Sequence, residues 1–381
     1  MITHLKIKNF KSHKDTDLDL SKLTVFTGMN GCGKSSVIQS FLLLRQTYLK
    51  GRLMDGVDLN KPLCNIGIGN DALYRRATEG ELSFEILDTK NTQYDFSFLI
   101  DDKALNDSFL KRKEYSDTIT NDNLKQLALF NNDFQYISAS RWGGTSNFPK
   151  ETYAAETQKQ ISLDYGQGEL VAQFLDKFGE IDIMDYTFGE EKDLSLLNQT
   201  IFWERKISPK VTLQVESGKD NNSYTINYGY EGVEDIKPLT NLKAENIGYG
   251  ISYALPVVVA LLSASPGALI LIENPEAHLH PSGQSQLAKL ITMVANNGVQ
   301  VIVETHSDHI ITAIQLACKD YSKDKTKGVC NNDVSMYYFY NNEKDLLQRD
   351  KIEIKECGSI EYQPKGFFDQ AEQDMFKLFS E

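Results

Sequence analysis

Cysteine is scarce and shows no pairing pattern. Cys32, Cys64, Cys318, Cys330 and Cys357 form an odd set without a CxxC, which argues against a disulfide framework or a zinc ribbon and for a reducing, cytoplasmic setting. Long hydrophobic runs are missing too. The most apolar stretch, Tyr253 to Ala264, contains Pro256 and falls short of the ~20 residues a membrane span needs. The opening MITHLKIKNFKSHKD has no apolar signal-peptide core, so no membrane association is expected. Repeats and low-complexity tracts are absent. Basic charge is in deficit: 40 Lys and Arg stand against 53 Asp and Glu, a net charge of −13. Such a surface repels phosphate backbones, so any nucleic-acid contact needs a local basic patch or a partner. The first 50 residues run the other way, with 8 basic and 3 acidic side chains (8 − 3 = +5).

What is present is an α/β pattern across 381 residues, enough for two domains or one domain with a large insertion. Leu5 to Phe10 and Leu23 to Phe26 read as strands, and Ser35 to Lys50 as an amphipathic helix. Strands at Glu81 to Leu87, Tyr94 to Ile100 and Asp133 to Ser138 follow. A mostly helical lobe is expected at about 150–205, then a hairpin turning at Asp220, Asn221 and Asn222. Helix 251–263, strand Ala268 to Ile272, helix Ser282 to Ala295 and strand Val299 to Val303 restore the alternation of a covered parallel sheet. The expected organisation is one head, 1–50 plus 240–381, split by an insertion at 51–239 whose strands continue the head.

Gly28, Met29, Asn30, Gly31, Cys32, Gly33, Lys34, Ser35 and Ser36 read GMNGCGKSS, the phosphate-loop pattern G-x-x-x-x-G-K-[ST] between a strand and a helix. The glycines supply positive φ, loop N–H groups face a phosphate, Lys34 reaches the terminal phosphates and Ser35 ligates magnesium. These residues call for ATP and Mg2+. In ALILIENPE, Glu273 ends a core strand at the mouth of the sheet, where it joins Ser35 in holding the metal. In VIVETHSD, His306 follows another strand end, within reach of the γ-phosphate or the attacking water. A second glycine turn, Gly248 and Gly250 with Ser252 in the first helical turn, forms another anion-binding helix N-terminus. One triphosphate rarely needs two such sites. A head-to-tail homodimer does, because each subunit presents this turn to its partner's nucleotide. Arg141, in QYISASRW where the insertion meets the core, is a candidate phosphate sensor, with an ordinary exposed arginine as the alternative.

GMNGCGKSS after NFKS, GYGIS, IENPEAHLHP and ETHSD together resemble the ABC-type ATPases related to SMC and RecF proteins, and within them the AAA-labelled, OLD-like prokaryotic group. Pro364 to Leu378 is similar to the end of a subgroup with a C-terminal domain of unknown function. The resemblance implies a P-loop NTPase fold, an ABC ATPase-like head with a mixed α+β insertion. It further implies ATP sandwiched in a homodimer or higher oligomer, the glycine turn acting in trans, and an effector partner in anti-phage defence or DNA maintenance.

Two departures matter. The family's second acid, which polarises water, is here Asn274; an amide orients water but accepts no proton, so either Glu276 serves as base or turnover is slow. GYGIS also departs from a serine-glycine-glycine signature, so the glycines carry that reading more than Ser252 does. A metalloenzyme built on His278, His280, His306 and His309 is a minor alternative without HExxH. The residues after His309 hold no DxD at a strand end, so any nuclease activity is expected from a partner. The competing readings are an ATP-locked scaffold or nucleic-acid clamp with negligible turnover, and, more weakly, a transporter subunit.

Overall fold

The computed structural model describes residues 1–381 except 114–119, 188, 219–221, 233–236, 345, 365, 369 and 380–381; the Asp220 and Asn221 turn lies outside the described residues. Short strands apolar on both sides become the interior of a sheet covered on both faces. The central sheet has six strands in the order Leu347–Ile352, Val334–Asn341, Leu23–Gly28, Gln300–Glu304, Leu269–Glu273, Phe134–Ile137. All neighbours are parallel except the first pair.

Alternate side chains leave opposite faces. Val25, Ile270, Ile272, Val301 and Val303 pack against helices Tyr249–Leu262 and Pro281–Asn296. Phe26, Leu269, Leu271 and Ile302 meet the helix Lys34–Leu49 and a four-stranded antiparallel sheet, ordered His13–Asp19, Ile2–Phe10, Glu81–Asp88, Gln93–Leu99. The order of the central strands positions the site. Gln300–Glu304 lies between the phosphate-loop strand and the Glu273 strand, in register Glu273 to Glu304 and Glu304 to Phe26.

The expected helical lobe at about 150–205 is corrected. Helix occurs at Val171–Phe178 and Leu196–Ile207, with a π-turn at Tyr153–Thr157. Between them, Gly166 and Gly168 at φ 68° and 75° cannot continue a helix. Several strands escape the sequence patterns, and three of them belong to the sheets that frame the phosphate loop. His13–Asp19 looks like a polar loop, but His13, Thr16 and Leu18 are buried. Val334–Asn341 pairs directly with the phosphate-loop strand, and Leu347–Ile352 closes the edge.

Glu204, on the second lobe helix, is fully buried, and among the described residues neither carboxylate oxygen has a hydrogen-bond partner. Burial pushes its pKa well above the ordinary 4.5, so the folded chain holds this proton more tightly than the unfolded chain. The contribution of Glu204 to stability is therefore greatest at low pH and falls as pH rises past the unfolded value. Glu204→Gln removes that titration. It should be more stable than wild type at pH 8 by about 1–3 kcal/mol, with the gap narrowing at pH 5, as thermal melts at both pH values would register.

Candidate functional site

The strand Leu23–Gly28 delivers the chain into the phosphate loop beside Val334–Asn341. The loop geometry admits few side chains. Gly28, Gly31 and Gly33 have φ of 133°, 77° and 84°. A Cβ on Gly28 would overlap the Phe339 carbonyl oxygen, and one on Gly33 would overlap the Ser12 hydroxyl. Below the loop, buried His13 braces it, with Nε2 3.0 Å from the Gly33 carbonyl and Nδ1 2.9 Å from the Thr16 hydroxyl. Burial lowers its pKa to about 4. The ring is therefore neutral at pH 7, and Nε2–H donates to Gly33 because a carbonyl only accepts. Lys34 Nζ donates to the carbonyls of Gly28 (2.9 Å) and Met29 (2.7 Å), within the loop it serves.

A cavity of about 450 Å3 opens above the loop, walled on one side by Asn30, Lys34 and Ser35 and on the other by Glu273, Asn274, Glu304 and His306. The acid at the loop is Glu304. Ser35 Oγ donates to Glu304 Oε1 at 2.9 Å, across 269 positions of sequence. Glu304 Oε2 is buried without a partner among the described residues. Burial and then the neighbouring Glu273 carboxylate raise its pKa to about 7, against the opposing Ser35 bond and Lys34 charge. Glu273, one strand further away, accepts from the Ala139 N–H at 3.3 Å and from the Tyr136 hydroxyl, and burial raises its pKa. Of the two carboxylates, Glu304 is the one in direct contact with Ser35, because its strand lies between the other two.

A hydroxyl and a carboxylate with one unused oxygen fit magnesium. That ion prefers hard oxygen ligands, takes few from protein and keeps waters and phosphates for the rest. Among the described residues, no group of three or more His, Cys, Asp or Glu side chains converges on a metal position.

Asn274 lines the cavity at φ 45°, a left-handed conformation that asparagine tolerates better than most residues. His306 is exposed on the cavity wall and hydrogen-bonds the Gly28 backbone; burial of its ring, then the Lys34 charge, lower its pKa. Glu276 lies outside the cavity wall; its Oε1 accepts the His306 N–H at 2.7 Å, and its Oε2 is buried with no partner among the described residues. Ser252 is corrected. It is buried, accepting from the Gly144 N–H at 2.8 Å and donating to the Tyr249 carbonyl at 3.1 Å. Gly248 caps that helix at the surface, and Gly250 packs against the His278 carbonyl, leaving no room for a Cβ. Arg141 is neither a surface arginine nor a phosphate sensor: it is 3% exposed and all its N–H groups meet backbone carbonyls.

Lys11 also changes role. Of the basic side chains at the start, Lys6, Lys8, Lys11 and Lys14, that a DNA contact would need, Lys11 lines the cavity with Nζ 2.9 Å from Gln39 Oε1, while Lys6 and Lys8 face Asp15 and Glu79. His13 and Glu304 carry no role in the sequence reading; for Glu304 the signal was the acid preceding THSD.

Comparison with known proteins matches residues 23–312 to the family described as "AAA domain, putative AbiEii toxin, Type IV TA system", and residues 329–378 to "Protein of unknown function (DUF3696)". The chain is 24% identical over 374 residues to the Old nuclease of Escherichia phage P2, covering 84% of this chain but 59% of that relative, less than two thirds of its length. It is 25% identical over 395 residues to an ATP/GTP phosphatase of Helicobacter pylori, covering 91% of this chain and 100% of the other. Among solved structures, an Smc head bound to the C-terminal winged-helix domain of ScpA superposes with a TM-score of 0.54 at 13% identity, covering 93% of this chain and 98% of that one. A second Smc head with an extended coiled coil, bound to the C-terminal domain of ScpA derived from Pyrococcus furiosus, gives 0.51 at 11% identity over 100% and 99%. At such identities the likeness establishes a shared fold.

Proposed function

Because the chain belongs to this AAA-domain family, of the SMC- and RecF-related, OLD-like type, we propose that it binds and hydrolyses ATP, closes as a head-to-tail dimer around the nucleotide, and through closure controls an effector protein. The observation that carries the reading is the convergence of the phosphate-loop residues, Lys34 and the Ser35–Glu304 pair on one cavity.

Each residue has a distinct task. The loop N–H groups and the helix N-terminus at Lys34 hold phosphate oxygens. Lys34 exchanges its loop carbonyls for the terminal phosphates. Ser35 and Glu304, with Glu273 behind them, hold the magnesium shell, and that ion when bound neutralises charge developing on the transferred phosphoryl group. His306 presents a ring nitrogen to the γ-phosphate or water, and Asn274 orients the water without removing its proton. Slow turnover follows.

The exposed turn Gly248 to Gly250 lies outside its own subunit's cavity wall, which supports its use in trans. The names of the Old nuclease and of the AbiEii-type toxin family favour a nuclease or a toxin as that effector, in anti-phage defence or DNA maintenance. The second reading is an ATP-locked scaffold or nucleic-acid clamp with negligible turnover, which Asn274 favours. Light scattering tests closure directly. With ATP and magnesium, the 43.1 kDa chain should reach at least twice that mass, and Gly248→Glu, at an exposed position with room for a side chain, should keep it monomeric; a mass unmoved by nucleotide rejects the sandwich.

A further inference from the structure

Arg141 is a cation in the protein interior whose environment is made of backbone carbonyls. Nε donates to Tyr253 (2.8 Å), one terminal nitrogen to Ser138 (3.0 Å) and Glu273 (2.9 Å), and the other to Asn274 (2.9 Å) and Pro275 (3.4 Å). The guanidinium carbon stands 4.0 Å over the Tyr253 ring. A buried charge is costly, and five satisfied donors with a cation–π contact offset that cost only in this one geometry.

The bonds tie three segments together: the loop after strand Phe134–Ile137, the turn carrying Glu273 and Asn274, and the first turns of helix Tyr249–Leu262. On the far side, Tyr253 packs against Tyr249, ring centroids 5.6 Å apart, and both rings pack edge-on against His278. Tyr249 is 47% exposed beside Gly248 and Gly250. A continuous chain of contacts therefore runs from the surface glycine turn to the carbonyls of the acid turn.

We propose that Arg141 is a positioning residue that locks the turn Glu273–Pro275 to the helix Tyr249–Leu262, so that engagement of the exposed glycine turn fixes Asn274 and Glu273 in their working positions. It touches no substrate atom and acts through the turn. The inference rests on the proposed ATPase reading and deepens it: one subunit's glycine turn, occupied by the partner's nucleotide, sets the competence of that subunit's own cavity. Lysine at this position keeps the charge but has three donors in place of five.

The test uses the full chain as wild type, Arg141→Lys and Tyr253→Leu, with thermal melts to verify folding. Both variants should bind a fluorescent ATP analogue within about twofold of wild type while kcat falls by about 10- to 100-fold with KM unchanged, as expected for a displaced catalytic turn. Hydrogen exchange supplies a readout independent of turnover. In wild type, ATP and magnesium should protect amides of both 28–36 and 249–255; in the variants protection should persist at 28–36 and vanish at 249–255. Unchanged kcat with retained protection at both segments overturns the proposal, as does parallel loss of ATP binding and kcat, the mark of a merely structural arginine. Wild-type protein lacking protection at 28–36 overturns the ATPase reading itself, and this inference with it, before any variant is compared.

Discussion

Lys34→Ala should lower phosphate release by roughly 100- to 1,000-fold, the cost typical of removing a single positioned donor from developing anionic charge, and should weaken ATP binding in parallel. The ammonium lies in the loop with its donors on the Gly28 and Met29 carbonyls, poised to transfer them to phosphate with little movement. Alanine leaves those carbonyls to loop water and removes the only cation among the loop residues Gly28 to Ser36. The helix behind the loop is anchored by Val37, Ile38, Phe41 and Leu42, so the melting temperature should change little. Calorimetric titration with ATP and a phosphate-release assay on the same preparation separate a nucleotide defect from an unfolded protein.

Glu304→Gln carries the second large effect, in two opposed directions. With nucleotide present, Mn2+ affinity followed by electron paramagnetic resonance should fall by about 10- to 100-fold, the range seen when a ligand or its support is removed from a metal site, and turnover should fall with it. Without divalent ions the same variant should melt higher than wild type. Glu304 lies beside the Glu273 and Glu276 carboxylates, whose charges oppose its own ionisation, and an amide still accepts from Ser35. Gain of stability with loss of function is the signature of a group retained for chemistry. Glu273→Gln, one strand from Ser35, should lower Mn2+ affinity less. A larger loss at Glu273 than at Glu304 would return the metal to the sequence-based pairing.

How much of this was legible in the sequence depends on whether a residue acts locally. The phosphate loop is one contiguous string between a strand and a helix, and its glycines occupy the left-handed conformations their spacing implies. The strand ending at Glu273 is equally visible, because a short run of branched apolar residues closing on an acid marks a buried strand reaching the mouth of its sheet. Glu304 was not legible as the partner of Ser35. That contact follows from the lateral order of strands, and the insertion of Gln300–Glu304 between two others leaves no mark in either segment. Ser252 and Arg141 failed for a related reason: a motif shows a hydroxyl or guanidinium but not which way it faces, and here Gly144 and five carbonyls claim them. The strand Val334–Asn341, rich in aromatic residues, could have been found by its composition. It supplies the backbone against which Gly28 packs, so the far end of the chain helps shape the loop near its start.

The most direct test of the account is phosphate release by the wild-type chain, at saturating ATP and magnesium, measured across a range of protein concentrations. The rate per chain should rise with concentration as dimers form, stay well below a typical enzyme's ~10 per second, and vanish in Lys34→Ala. A rate per chain that is independent of concentration, or one that survives Lys34→Ala, would contradict it.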